Sequence, residues 1–295
     1  MRILNCLSMT VVATAVCVTG CVSRVATKKP ADSEIKTHAL AFNAILDSQN
    51  GYYHSILSVT PDPTSASEQP EKIRNMLADS WDVNSRQDLL NLLARIESGE
   101  NGHRGRYWRF REKFLSFPIE SRGNVYLGTG PDEAPSAHIV DQQIRAPLGR
   151  AMPITAWDFG RYISLCRAGY NIGWMSDKEA WERILPVARM LQASYGSWDE
   201  FAADYLVGRD FWDPSTVPEN EKIRYLIMML ERPDGGLWAS IPWNESLGEG
   251  PIMVDPMAAA LLKDYKPRNQ NFPGPNYSPP GGSAIIAVRT GVDPK

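Results

Sequence analysis

Apolar residues recur along this chain at intervals of three and four, the signature of helices with one buried face. Ile35, Ala39, Phe42 and Ile45 or Leu46 make the first such stripe. The segment 59–70, VTPDPTSASEQP, interrupts it with three prolines among small polar residues and reads as a loop. A short helix over 71–80 follows. Asn84 and Ser85, ahead of Asp88 and the run LLNLLARI, mark a helix N-terminus, and Gly99 closes it. In GHRGRYWRFREKFLSFP, Tyr107, Phe110, Phe114 and Phe117 fall on one helical face and Arg106, Arg109 and Lys113 on another, with Pro118 as the stop. Residues 119–150 hold glycine and proline with little periodicity, which predicts an irregular loop.

Two capping boxes punctuate the second half. Ser176 with Glu179, and Ser197 with Glu200, each set a hydroxyl to accept from the third backbone N–H and a glutamate to reach back. They predict helices over 156–168, 177–195 and 198–207, with Gly169 and Gly196 as left-handed C-caps and Pro186 kinking the middle helix. A helix over 219–231 follows Pro218, and Asp255-Pro256 opens a short one reaching about Asp264. Residues 266–295 are rich in Pro, Gly and Asn, a composition of extended or disordered chain. The pattern is mainly α: a single domain of about seven to nine helices over 35–265, with strands few or absent.

The N-terminus carries a different message. Met1-Arg2 is followed by an apolar run to Val18, too short for a spanning helix, and then by Val18-Thr19-Gly20-Cys21. This resembles a lipoprotein export signal over 1–20, with small residues before an acylated cysteine. Residues 21–34 then serve as a polar tether. Val22, where an aspartate would retain a Gram-negative lipoprotein in the inner membrane, points to the outer membrane and its periplasmic face. Acyl chains on Cys21 would anchor the protein stably to the bilayer. Of the four cysteines only Cys166 then remains in the body, so no intrachain disulfide or cysteine zinc site is expected.

Composition narrows the function classes. At 295 residues, 43% hydrophobic and 22% charged, the chain can bury a sizeable core. A formal charge of −3 gives no bulk field for nucleic acid. The basic stripe Arg104, Arg106, Arg109, Arg111 and Lys113 reads as a solvated helix face, with Arg106, Arg109 and Lys113 as candidates for an acidic protein partner or anionic headgroups. No nucleic-acid partner, cofactor or metal is expected, since the four histidines lack ligand spacing.

Candidate chemistry centres on Asp158-Phe159-Gly160. In a protein kinase that triplet holds magnesium, but here the upstream catalytic aspartate and glycine-rich loop are missing. Asp158 and Arg161 stand three apart on one helix and can meet, either as a packing bridge or as part of a polar pocket. Gly160 inside the helix predicts a close neighbour, another helix or an indole. His103 is the natural acid–base candidate, and its competing role is a structural hydrogen bond. Cys166 reads as core, and Trp157, Trp181, Trp198 and Trp212 as one buried cluster.

A set of landmarks carries a resemblance: Ala156-Trp157-Asp158-Phe159-Gly160-Arg161, Gly169-Tyr170 with Gly173, Glu179-Ala180-Trp181, Ser197-Trp198 with Glu200-Phe201, Tyr205-Leu206, Gly208-Arg209 and Phe211-Trp212. With Trp81, the leucine-rich helix and Gly102-His103-Arg104, they resemble the family called domain of unknown function 1266 over roughly 76–245. The resemblance implies an architecture and no activity. Lipid address, helical body and no assembled catalytic set together lead to a protein-binding role in the envelope, of immunity type against a delivered toxin. The competing expectation is an enzyme whose pocket uses His103, Asp158 and Arg161, with Asp204 or Arg209.

Overall fold

The computed structural model describes residues 30–59, 69–100, 102–127, 129–145, 154–215 and 220–257. The export signal, Cys21, most of the tether and the Pro/Gly-rich tail lie outside the described residues. Within them the chain is all-helical, without a strand. In order come α1 (Asp32–Ala41), α2 (Ala44–Asn50), α3 (Gln69–Trp81), α4 (Arg86–Ser98), α5 (His103–Leu115), α6 (Gly123–Leu127), α7 (Ala134–Arg145) and α8 (Thr155–Asn171). They are followed by α9 (Asp177–Ser194), α10 (Trp198–Trp212), α11 (Asn220–Glu231) and α12 (Leu237–Ser240). Apart from the short α2, α6 and α12, each spans at least ten residues.

The centre of the molecule is α8. It packs against α10 and α9 on two sides and α4, α2, α3 and α5 on others, so nearly every residue from Thr155 to Gly169 is buried. A helix enclosed all round cannot show a clean amphipathic stripe, and its polar side chains must find partners inside the protein. Two glycines let α10 and the first helices come close. A Cβ on Gly208 would sit 2.4 Å from the Cβ of Trp157, and one on Gly160 would sit 3.3 Å from the carbonyl oxygen of Phe42. Of the two neighbours expected at Gly160, a helix or an indole, it is the helix that arrives, α10 with the ring of Tyr205, beside the Phe42 carbonyl; the indole-bearing Trp157 is received by Gly208 instead.

Several expectations are corrected here. The first stripe is two helices, not one. The chain breaks at Phe42–Asn43, which frees the carbonyl of Ala41 to accept from the indole N–H of Trp238 at 2.9 Å. The loop expected over 119–150 contains a 3-10 turn, α6 and the twelve-residue α7. Pro135 at the second position of α7 and polar Ser136, Asp141 and Gln143 on its buried side masked the helical period. Gly169 lies within α8, where its lack of a side chain admits Leu89, and the left-handed residue after the helix is Gly173, at φ +77°. Gly196 is not left-handed either.

Both serine caps form, at 3.2 Å each, but only half of each box closes: Glu200 takes the N–H of Gly196 and Glu179 takes Arg86. The carbonyl of Pro186, inside α9, accepts from the N–H of Met253 at 3.1 Å.

The tryptophans separate into groups. Trp198 stacks on Trp238 at 5.0 Å and meets Trp243 and Phe42, while Trp157 pairs with Trp212 and Trp181 faces Lys36. In the first group three indole N–H groups fasten three different segments, donating to Ile241, Ala41 and Tyr195 carbonyls.

Candidate functional site

At the head of α8 the backbone takes an unusual path. Ile154, the residue before the helix, is fully buried at φ +53°, a left-handed conformation that a β-branched side chain rarely adopts. What holds it is Asp204 from α10, whose two carboxylate oxygens accept from the N–H groups of Ile154 and Ala156, each at 2.9 Å. The hydroxyl of Tyr195 donates to the same carboxylate. An acid from a different helix thus caps α8 from outside, where no local residue can. Burial raises the Asp204 carboxyl to about 6, with the hydrogen bonds from Tyr195, Ala156 and Ile154 opposing.

One turn on, Asp158 is buried and holds two arginines. Its Oδ1 accepts from Arg161 on the same helix, and its Oδ2 lies 3.2 Å from Nε of Arg104 on α5. Arg161 lies over the indole of Trp157 and reaches the ring of Trp81 at 5.2 Å. Arg104 is fully enclosed over the ring of Phe159, at 4.5 Å. Its Nη1 stands 2.6 Å from Oδ2 of Asp255, and its Nη2 donates to the carbonyls of Ile96 and Glu97 at the end of α4. Thr155 donates its hydroxyl to the same oxygen of Asp255 at 2.9 Å. Two guanidinium groups and three carboxylates therefore share one water-poor space around the first turns of α8.

The candidates are placed as follows. Asp158 and Arg161 close on each other directly, and both oxygens of Asp158 are engaged. His103, at the start of α5, presents its ring edge-on to Trp157 at 5.1 Å. Burial and then Arg161 push its imidazole down to about 4, against the pull of Asp158, so it is neutral near pH 7. Asp204 belongs to the same assembly, as the cap of α8; Arg209 instead stacks on Trp212. Among the described residues, no His103–Asp158 ion pair forms and no group of histidine, cysteine and acidic side chains is arranged to hold a metal. Cys166 is buried, and desolvation pushes its thiol far up, which removes it as a nucleophile. Of the basic stripe, Arg109 and Lys113 are exposed, while Arg106 is half-buried, donates to Ser136 and lies over the ring of Phe211.

Arg104 was misread as part of a solvated face, and it is the hub of the network. Its sequence signals were its place in the Gly102-His103-Arg104 landmark and its offset from the Arg106–Arg109–Lys113 spacing. Asp255, which the sequence marked as a helix N-cap and which accepts from the N–H of Met257, carried no sign of its partner Thr155 a hundred residues away.

A further buried arginine organises the other end of α8. Arg167 pairs with Asp47 of α2 and donates to the carbonyls of Tyr53, Ile56 and Ser58 at 2.6–3.1 Å. Asn171 adds a bond to the N–H of Val59, so the loop after α2 is gathered onto α8 by polar groups.

Fold and site together define a class: an all-helical domain around one enclosed helix, whose charged side chains neutralise one another. The chain belongs to the family described as protein of unknown function DUF1266, whose pattern matches residues 76–243. It is similar to the uncharacterized protein YbeR of Escherichia coli (strain K12), 30% identical over 158 residues, which are 53% of this chain and 63% of YbeR. The match thus spans less than two thirds of that relative. It is also similar to the uncharacterized protein YbeU of the same strain, 22% identical over 205 residues, 64% of this chain and 81% of YbeU. No solved structure matches. Asp47 and Asp255, the acids that meet Arg167 and Arg104, both lie outside the family-matched residues.

Proposed function

We propose that this protein is a lipoprotein, anchored through Cys21 in the outer membrane and facing the periplasm, that binds another protein there. The observation that carries the binding role is the outer face of α11. Its inner face, Ile223, Ile227 and Leu230, is buried, yet Tyr225 and Met228 point outward at 57% and 52% exposure, flanked by half-buried Leu226 and Met229. A helix apolar on both faces is ordinarily covered on both. Beneath it lies α2, and the loop following α2 exposes Tyr53 and Ile56. The head of α8 supports the same reading, because its carboxylates and guanidiniums are engaged with each other. No described helix is long and apolar enough to cross a membrane, which is compatible with attachment through lipid. The partner class is an envelope protein or a toxin delivered into that compartment.

The test uses the full-length chain carrying a C-terminal tag, extracted from envelopes in non-ionic detergent. The parent recovers one partner in stoichiometric amount, and Tyr225→Glu combined with Met228→Glu loses it while melting cooperatively. Equal recovery by both proteins, or recovery of lipid alone, defeats the reading. Separately, Cys21→Ala shifts the protein out of the membrane fraction; unchanged fractionation removes the anchor.

A further inference from the structure

After α12 the chain runs without a helix from Ile241 to Asp255 as a strap across α9; Trp243 and Leu247 bury its first half in the core, and polar bonds from α9 fasten the backbone between and beyond them. Arg189 of α9 donates to the carbonyls of Leu247, Gly248, Glu249 and Pro251 at 3.1–3.3 Å. Gln192 donates to those of Trp243 and Glu245, both at 2.7 Å. Past Trp243 and Leu247 the strap buries little: Ile252 and Val254 are 57% and 74% exposed. It then turns inward and delivers one group, the Asp255 carboxylate, to the hub at Arg104 and Thr155. The contact is close but poorly aligned. Nη1 of Arg104 stands at ion-pair distance from Asp255 without hydrogen-bond geometry, as does Nε from Asp158. A guanidinium is a fork that matches a carboxylate best when two N–H groups meet its two oxygens in parallel.

We infer that Arg104 and Thr155 form a carboxylate-binding site at the head of α8, filled in this state by Asp255 of the strap, and that an external carboxylate replaces Asp255 when the strap lifts. Several features converge on this. The site is built from a rigid core, with Arg104 held in place by the Ile96 and Glu97 carbonyls and by the ring of Phe159. The occupant comes from a non-helical stretch whose last residues, Ile252 and Val254, are exposed, the kind of segment where local opening is cheap. With Asp255 withdrawn, Nη1 of Arg104 and the hydroxyl of Thr155 are left facing the place its carboxylate held, while Nε stays at Asp158 and Nη2 on the Ile96 and Glu97 carbonyls. The strap, being tethered, competes at an effective concentration of about millimolar or more, so an outside ligand of low affinity is excluded until that competitor is weakened. The site is independent of the α11 face, so the two readings stand or fall separately.

The experiment uses the full-length chain in detergent, with acetate, which is the aspartate side chain cut free, as probe; chloride at equal ionic strength and acetamide are the controls. In Asp255→Ala the thermal midpoint drops, and acetate restores at least half of the loss with saturation, which neither control does. In Asp255→Asn, which keeps the shape without the charge, acetate raises backbone hydrogen exchange of residues 247–257 about tenfold as it displaces the neutral amide. Should Asp255→Ala not fold, the second variant alone decides. Equal effects of acetate and chloride, or strap exchange indifferent to acetate, overturn the proposal.

Discussion

Replacing Asp158 with asparagine asks whether the aspartate of the Asp-Phe-Gly triplet is a structural bridge. In the parent its two oxygens serve Arg161 and Arg104. Arg104 keeps Asp255 and two carbonyls after the change, whereas Arg161 keeps only indole faces and a 3.4 Å bond to the carbonyl of Trp157. Removing one partner of a buried ion pair costs about 3–5 kcal/mol, because the other charge stays buried and uncompensated. For a domain of this size that lowers the melting midpoint by roughly 6–20 °C. Arg161→Met costs less, about 1–3 kcal/mol, since Asp158 retains Arg104 and the loss is mainly cation–π stacking and packing. If the bridge is one energetic unit, the double variant is less damaged than the sum of the single ones, by about 1–3 kcal/mol. Urea unfolding followed by circular dichroism measures all four corners. A coupling below about 0.5 kcal/mol, with every variant folding cooperatively, would refute the bridge and return Asp158 to the list of groups free for chemistry.

Other consequences are measurable on the same footing. Gly208→Ala places a methyl group against Trp157 and should cost about 1–3 kcal/mol by overpacking; a change within 0.5 kcal/mol would show that α8 and α10 are not held at this approach. Arg167→Met takes from Asp47 its guanidinium, leaving the Asn43 amide and the His54 ring at 3.7 Å, and leaves three loop carbonyls without donors, so it should lower stability by about 3–5 kcal/mol and speed amide exchange of residues 53–59 before the rest of the molecule; uniform exchange across the chain speaks against a local clamp. The imidazoles of His38 and His103, both pushed down to about 4 mainly by burial, contribute stability that is complete above pH 6.5 and lost as pH falls toward 4. The buried carboxyls of Asp204 and Asp210, raised to about 6 and about 7, act in the opposite sense: their contribution is lost as pH rises from 3.8 through those values. His103→Gln removes one of the first pair, so stability at pH 6.5 relative to pH 4 should fall by roughly 1–3 kcal/mol compared with the parent, and parallel pH profiles would contradict this.

Helix existence was legible in the chain because it depends on neighbours three and four residues away. Ser85, Ser176 and Ser197 cap where their spacing to Asp88, Glu179 and Glu200 said they would, and Gly99 ends α4 in a left-handed turn. The face of α5 formed by Tyr107, Phe110 and Phe114 is buried as its period requires. The Asp158–Arg161 contact was legible for the same reason, being a pair three apart on one helix. Reading failed where burial came from elsewhere. Helix α7 was hidden by polar residues that face the core only because α5 and α10 cover them, and Arg104 looked like surface because its neighbours in sequence are charged.

By itself, then, the sequence determined the helical class, the punctuation between helices, the pairing of Asp158 with Arg161 and the family landmarks around α8. Tertiary structure alone decided that this pair is buried, that Arg104 joins it, that Asp204 caps α8 from another helix, and that Asp47 and Asp255 arrive from outside the family-matched region. The physical reason is range. Capping and periodicity act over one or two turns and leave their mark in adjacent letters, whereas the partner of a buried charge is chosen by whichever segment packs over it, here 120 residues away for Arg167 and Asp47.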